Sequence, residues 1–448
     1  MTEKVKQQHM FSNKMIAGIL IPVVLEQLLN SIMGTADTMM VSNIGSAAIS
    51  AVSLVDSINI LVIQAFSALA AGGAIVCSQY IGQQNKKMAN ESARQVLFII
   101  TAISIAVSVL CLGFKKPLLR LIFGSVEADV MRASETYFFY TAISFPFIAA
   151  YDSAASIFRA QENTKGPMLI SMISNAMNIV GNAIMIWIFH MGVAGAAIST
   201  LVSRIFCAVV VLIQLRKDRQ PIVVRDYLKI RPDWAMIRRI LGIGIPSGVE
   251  NSMFQLGKIL VLSLVSTFGT YAIAANAVSN AIALFQILPG MAISLAITTV
   301  ISQCVGANDY EQVRYYLKKL LAIIYVAMVG TVALIFLALP LILKAYNLSD
   351  QTAAAATNII HFHGISAMII WPLSFALPAA YRAAGDAKAC MYTSIVSMWI
   401  FRIGFSYLVG KYMGLGVFGV WVAMVIDWVV RAICFICLLY TSDAADDK

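Results

Sequence analysis

Charged residues are scarce in this chain. Asp, Glu, Lys and Arg make up 12% of its 448 residues, about half of their usual share in a soluble domain. Hydrophobic residues account for 60%, and the mean hydropathy is +0.82. These values exclude an ordinary soluble globular protein and indicate an all-α polytopic membrane protein.

Signatures of catalysis are also missing. The sequence contains no phosphate-binding loop, no HExxH zinc motif and no GxSxG nucleophile elbow, so ATP is excluded as an energy source and we predict that the protein is not an enzyme. The seven cysteines are odd in number and sit almost entirely in apolar runs, which indicates small core residues rather than a disulfide framework. No cofactor and no resident metal ion are predicted.

Long apolar runs are what the chain does have. Twelve are long enough to cross a hydrocarbon core of about 30 Å. They lie at 15–42, 47–80, 93–113, 134–158, 167–189, 193–214, 238–265, 271–303, 317–343, 357–381, 390–410 and 416–440. We therefore predict an N-terminal six-helix bundle (1–215), a basic cytoplasmic linker (216–237), a C-terminal six-helix bundle (238–440) and a polar, possibly foreign tail (441–448).

The net charge of +10 is explained by topology. With the N-terminus inside, 22 of the 32 Lys and Arg residues fall on inner segments and six on outer ones, which is a strong positive-inside bias. We predict a multi-pass protein of the cell (inner) membrane with a cytoplasmic N-terminus. Nucleic acid is not expected as a partner.

The two halves repeat each other. Residue n aligns with residue n plus 224, without a gap, from Pro22 to Gly82, and the relation resumes late in each half at an offset of 223 or 224. The matched residues include Pro22 and Pro246, Glu26 and Glu250, Gly45 and Gly269, Arg159 and Arg382, and Gly195 and Gly419. Two halves of six spans enter from the same side, which predicts pseudo-two-fold symmetry along the membrane normal, an architecture typical of secondary transporters.

Polar side chains within the first span mark a candidate pathway. Glu26 and Asp37 are eleven residues apart, about 1100° of helical rotation, so they share one helix face with Asn30. An ionisable group at bilayer depth costs several kcal/mol and usually faces a cavity or a partner. Asp37 has no acidic counterpart in the second half, where Val261 is aligned with it. It is therefore the preferred coupling residue, with a structural ion pair to Lys258 as the alternative.

Several motifs resemble those of bacterial multidrug and toxic compound extrusion (MATE) transporters over nearly the whole chain. They are GTADTMMVSNIG in the first span, SQYIGQQN and SQCVGAND after the second and eighth, FRAQENTKGPM and YRAAGDAKACM after the fourth and tenth, and MGVAGAAIST at the sixth. The resemblance implies two V-shaped bundles and export of cationic or amphipathic compounds, driven by Na⁺ or H⁺. It also implies a cation-coupling site, which matches Asp37, Asn178, Asn182 and Thr200 in this sequence, with an amide at Asn182 in place of a second carboxylate.

Other polar residues of the spans are candidates for a gate or a substrate-lining surface: Glu26, Asn30, Asp56, Glu250, Lys258 and Asn276. For Glu26 and Glu250, capping of backbone groups freed by the preceding prolines is equally open. Arg204, Arg402, Asp427 and Arg431 are interpreted as including structural ion pairs. We predict a monomeric antiporter of small organic cations or amphipathic drugs that works by alternating access. A flippase for a lipid-linked glycan precursor is the alternative.

Overall fold

The structure is a computed structural model. It describes the backbone of residues 9–42, 44–124, 126–217, 220–225, 227 and 231–446; the side chains of 33–39, 41–42, 46 and 440–446 are not part of the description. Within those ranges the chain is helical and contains no strand. The predicted all-α class is confirmed.

Helices of the first half precede the polar linker. They are α1 (Asn13–Ser42), α2 (Ser46–Gly82), α3 (Lys86–Gly113), α4 (Lys115–Phe123), α5 (Ala128–Ile143), α6 (Phe145–Ala160), α7 (Lys165–Ala183) and α8 (Gly192–Leu215), with π-helical residues Ile184–Ile188 after α7.

Helices of the second half follow it. They are α9 (Trp234–Ser266), α10 (Thr270–Gly306), α11 (Tyr310–Ala345), α12 (Asp350–Trp371), α13 (Leu377–Ala384), α14 (Ala387–Ser397) and α15 (Gly416–Asp446). Three stretches are π-helical: Pro372–Ala376, Met398–Gly404 and Ser406–Tyr412.

Every predicted span coincides with a helix or with consecutive helices. In the described part of the chain, ten helical segments are long and apolar enough to cross a membrane. The other two predicted spans correspond to α5 followed by α6 and to α9, which carries Arg238, Arg239, Glu250 and Lys258. Twelve spans therefore agree with the sequence prediction.

The fourth predicted span, 134–158, is not one continuous helix. It breaks at Ser144, between α5 and α6, because Pro146 has no N–H to donate to the carbonyl of Ala142. The Ser108 hydroxyl donates to that carbonyl instead, at 2.7 Å, and Arg204 donates to the Ser144 hydroxyl at 2.7 Å. Neighbouring helices thus satisfy the polar groups at the break, as a membrane interior requires.

The internal repeat extends to the turns. Asn85 and Asp309, 224 residues apart, cap α3 and α11 by accepting from Met88 N and Gln312 N, each at 3.1 Å. The residues before them, Gln84 and Asn308, have φ of 56° and 60°, a left-handed conformation that few side chains other than Asn adopt readily. The sequence repeat is therefore also a repeat of backbone geometry.

The chain divides into two compact units. Unit 1 is Met1–Gly248 with Gly306–Asn308, and unit 2 is Val249–Val305 with Asp309–Lys448. In unit 1, α2 packs against α3, α5 and α6, and α7 packs against α1 and α8. In unit 2, α15 packs against α12 and the π-helical stretches.

The linker is fastened to unit 1. Ile222 N donates to Gln161 Oε1 at 2.8 Å, and Gln95 receives Asp233 N at 3.1 Å. The Tyr227 hydroxyl donates to the carbonyl of Leu212 at 2.6 Å, and burial raises the pKa of this phenol to about 12. The segment is thus part of a packed unit rather than a free tether.

Candidate functional site

Small residues hold α7 and α8 together in unit 1. A Cβ on Gly181 would overlap the Ser199 hydroxyl, and a Cβ on Gly195 would lie 2.9 Å from Cβ and 3.1 Å from the backbone carbonyl of Met185. Real Cβ atoms do not approach this closely, so both positions require glycine. The close approach places the polar side chains of α7 directly beside those of α8.

The predicted coupling residues of these helices form a hydrogen-bonded chain. Asn178 Nδ2 donates to Thr200 Oγ1 at 3.2 Å, and Asn182 Nδ2 donates to Asn178 Oδ1 at 3.4 Å. Asn182 is buried, while Asn178 and Thr200 are half-buried. The cluster offers amide and hydroxyl oxygens, which are hard ligands for a small cation.

The first span joins the same helix through an amide. Asn30 Oδ1 accepts from Asn175 Nδ2 at 2.7 Å and from Ser171 Oγ at 3.0 Å. Asp37, the predicted coupling carboxylate, lies in α1, but its side chain is outside the described residues, and so is the predicted alternative of an ion pair with Lys258. Asn30, at least, is a polar link between α1 and α7.

Two further candidates take part in hydrogen bonds between helices. In unit 1, Tyr137 and Asn59 donate to Asp56 Oδ1 at 3.3 and 3.2 Å. In unit 2, Trp421 Nε1 donates to Asn276 Oδ1 at 3.0 Å. The contacts from Tyr137 and Trp421 fix the candidate side chains against a neighbouring helix, whereas Asn59 lies on the same helix as Asp56.

Glu26 and Glu250 both bind arginines supplied by their own repeat. Glu26 Oε1 lies 3.1 Å from Arg159 Nη2. Glu250 receives two guanidinium groups, with Oε2 at 3.2 Å from Arg382 and Oε1 at 3.4 Å from Arg431. The repeat-related pairs Glu26–Arg159 and Glu250–Arg382 are thus equivalent contacts, and Arg431 is an addition of the second half.

Family membership follows from the sequence match over both halves. The MatE family model matches residues 22–184 and 246–408, at the same offset of 224 as the repeat. The chain belongs to the MatE family.

Curated relatives of this MatE protein cover most of its length. "Uncharacterized transporter YisQ" of Bacillus subtilis is 28% identical over 92% of this chain and 90% of the relative. "Probable multidrug resistance protein NorM" of Thermotoga maritima is 24% identical over 94% and 90%. The protein is therefore a polytopic transporter of a multidrug efflux family.

Among solved structures, a transporter of the MOP superfamily from Pyrococcus furiosus matches with a TM-score of 0.90 at 20% identity. The match covers 97% of this chain and 96% of that one. Its title states that reverse polarity of the binding pocket suggests a different function. At this identity the likeness shows the fold, which is that of two helical bundles.

Unit 2 of this MatE chain contains a group of side chains that sequence reasoning did not bring together. The ring of Phe254 is surrounded by Arg402, Lys258 and Arg431, with cation-to-centroid distances of 5.1, 5.5 and 5.5 Å. Arg431 forms an ion pair with Glu250, a partner that the sequence did not predict for it, and no described carboxylate lies within salt-bridge distance of Arg402. The sequence signal available was three basic residues within apolar spans of one half.

Asp152 of α6 was also missed. Its Oδ2 accepts from the Ser67 hydroxyl of α2 at 2.6 Å, and Arg159 and Arg204 act on it electrostatically. An acid in the apolar run YDSAASIF was the signal that could have identified it.

Proposed function

We propose that this MatE transporter is a secondary active antiporter that exports cationic or amphipathic organic compounds in exchange for Na⁺ or H⁺. Asp37 carries the coupling charge, and the Asn178, Asn182 and Thr200 cluster supplies neutral oxygens beside it. The protein works as a monomer by alternating access. No ATP is needed because the ion gradient supplies the free energy.

The observation that carries this proposal is the hydrogen-bonded chain from α7 to α8. Three residues assigned to the coupling site by family resemblance are brought into one contiguous cluster. Such a cluster presents oxygen ligands inside a membrane-spanning pair of helices, where an unpaired polar group would be costly. Exchange of a small cation at this place accounts for that cost.

The relatives' names support the substrate class. NorM of Thermotoga maritima is named as a probable multidrug resistance protein, and other curated relatives in Bacillus subtilis carry the same wording. Organic cations and amphipathic compounds are substrates suited to a transporter whose first half offers Asp37 and Asp56.

The test is efflux of a fluorescent cation from proteoliposomes. Ethidium transport by wild type is measured with a Na⁺ gradient alone and with a pH gradient alone, and compared with Asp37→Asn and with Asp129→Asn, an exposed acid in the first turn of α5. We expect one gradient to drive efflux, Asp37→Asn to abolish it and Asp129→Asn to leave it unchanged. Efflux that survives Asp37→Asn would refute the coupling role.

The lipid-linked glycan flippase remains the second candidate, and the positive charges around Phe254 favour it, since a pyrophosphate lipid requires cationic groups. A flippase would translocate a polyprenyl pyrophosphate glycan in the same vesicles without requiring ethidium efflux. Transport of this lipid, but not of ethidium, by the wild-type protein would support the flippase.

A further inference from the structure

The strongest unassigned feature is the basic cluster of unit 2, defined here as Phe254, Lys258, Arg402 and Arg431. Phe254 and Lys258 lie on α9, Arg402 in the π-helical stretch Met398–Gly404, and Arg431 on α15. All three cations lie within 5.5 Å of the centroid of the Phe254 ring, so no two of them are farther apart than twice that distance. Three like charges concentrated this closely in a membrane-spanning unit need a compensating anion.

Carboxylates of unit 2 supply only part of that compensation. Glu250 is shared between Arg431 and Arg382, so one negative charge faces two positive ones. Asp427 acts electrostatically on Arg402, but its Oδ1 accepts from Ser397 at 2.6 Å. Among the described residues, two carboxylates therefore face four cations, which are Lys258, Arg382, Arg402 and Arg431.

Hydrogen-bonding capacity is also left over. Arg431 is 2% exposed, and its Nε and Nη1 atoms have no hydrogen-bond partner among the described residues. The side chains of Lys258 and Arg402 likewise make no hydrogen bond or ion pair to any residue described. Buried guanidinium groups are normally satisfied, so the unsatisfied donors of Arg431 indicate that a ligand completes the cluster.

Two of the three cations are accessible. Lys258 is exposed and Arg402 is half-buried, whereas Arg431 lies beneath them against the ring of Phe375, 4.6 Å from its centroid. Gly257 brings α9 close to the π-helical stretch, since a Cβ there would overlap the Met398 side chain. Lys258 and Arg402 are thereby presented together beside the half-buried rings of Phe254 and Phe375.

We propose that the basic cluster binds the carboxylate of an aromatic amphiphile. Arg402 and Lys258 hold the oxyanion, and the rings of Phe254 and Phe375 contact the aromatic part. Guanidinium groups suit this task because they are planar, weakly hydrated and geometrically matched to carboxylates. The inference deepens the proposed export function, on which it rests for transport but not for binding.

A matched pair of dyes tests it. Rhodamine 110 carries a free carboxylate, and rhodamine 123 is its methyl ester with the same xanthene ring. Binding to purified full-length protein in detergent is measured by fluorescence anisotropy for wild type, Arg402→Gln, Lys258→Gln and Lys411→Gln, an exposed lysine of the next π-helical stretch. Arg402→Lys is included as the charge-conserving variant.

We expect wild type to prefer rhodamine 110. Arg402→Gln should weaken its binding by about 10-fold or more, the scale of a hydrogen bond to a charged group, while rhodamine 123 changes much less. Arg402→Lys should retain part of the preference, and Lys411→Gln should match wild type. If Arg402→Gln does not fold, Lys258→Gln decides in the same way.

Three results would overturn the proposal: no preference for rhodamine 110 by wild type, equal loss of both dyes in the folded variants, or displacement of rhodamine 110 by phosphatidylglycerol but not by phosphatidylcholine. The last would identify a lipid headgroup site. Carboxylate-selective binding without ethidium efflux would retain the site and reject the export function, so the two failures are distinguishable.

Discussion

The last two spans of the two halves can be compared directly. In unit 1 they are α7 and α8; in unit 2 they are α14, with the two π-helical stretches that follow it, and α15. In unit 1 the predicted coupling residues of these helices are two neutral amides and a hydroxyl, bonded to each other. In unit 2, Arg402 stands 224 residues after Asn178, and Met424 stands 224 residues after Thr200. One fold thus carries an oxygen-rich cluster in one half and a cationic, aromatic cluster in the other, so the chemistry of these two spans differs between the halves.

A single extra residue accompanies this divergence. The offset is 223 between Met168 and Met391 but 224 between Gly192 and Gly416, so the second half has one more residue in between. The π-helical residues Ile184–Ile188 have a counterpart in Ser406–Tyr412, whereas Met398–Gly404 has none. A π-turn is how a helix accommodates an inserted residue, often at a functional position, and here it contains Arg402.

The largest expected effect concerns the two carboxylate–arginine contacts. Glu250→Gln removes the carboxylate that pairs with two guanidinium groups, one of them on a side chain only 2% exposed. It should lower the free energy of unfolding by about 3–5 kcal/mol. Glu26→Gln affects only Arg159, whose side chain is 21% exposed, and should cost about 1–3 kcal/mol. Thermal denaturation of the purified variants, followed by size-exclusion chromatography, measures both.

A rescue variant sharpens that result. Removing Arg431 together with Glu250, in Glu250→Gln with Arg431→Met, should recover part of the stability, since an uncompensated buried charge is worse than an apolar replacement. Equal losses for Glu250→Gln and Glu26→Gln would mean that Arg431 adds nothing to the second contact.

Next in size are the glycines that hold the paired helices together. Gly195→Ala and Gly419→Ala should each lower the free energy of unfolding by about 1–3 kcal/mol, because the new Cβ would meet backbone atoms of Met185 at 3.1 Å and of Gly410 at 2.8 Å. Gly330→Ala in α11, with no heavy atom within 4 Å, should instead stabilise by about 0.5–1 kcal/mol through helix propensity. The same sign for all three, in thermal unfolding, would contradict the close packing.

The smallest expected effect tests whether the Thr200 hydroxyl belongs to the coupling site or only bonds to its own helix, as the Thr331 hydroxyl does. Thr200→Val removes the acceptor of the Asn178 amide, worth about 1 kcal/mol, so the apparent affinity for the driving ion should fall about 5-fold. Thr331→Val removes only a hydroxyl bonded to its own helix, at 2.9 Å, and should not change this affinity. Efflux rates at graded ion concentrations give the values, and equal responses would remove Thr200 from the coupling site.

Much of the architecture was predictable because the hydrocarbon interior of a membrane permits few backbone conformations. Apolar runs of spanning length must be helices, and all twelve were recognised. The break at Ser144 was not, because a proline in an apolar span either kinks or ends a helix according to which neighbours satisfy the freed carbonyl. Here Ser108 does so, and Ser108 is remote in sequence.

For the site, family resemblance and helical spacing selected Asn178, Asn182 and Thr200, which do lie together; their coupling role and that of Asp37 stay predictions. The basic cluster was not predicted, because Phe254, Arg402 and Arg431 belong to three separate helices and share no spacing pattern. Arg402 was interpreted within a set of structural ion pairs, and in the described part of the chain it has no such pair.

By itself, the sequence determined the membrane class, the twelve spans, the repeat and the family, because hydropathy and a half-chain offset are properties of the order of residues. The tertiary structure alone decided which charges are paired. Glu250 binds two arginines and Glu26 one, since ion pairing depends on distances between helices that no local pattern encodes.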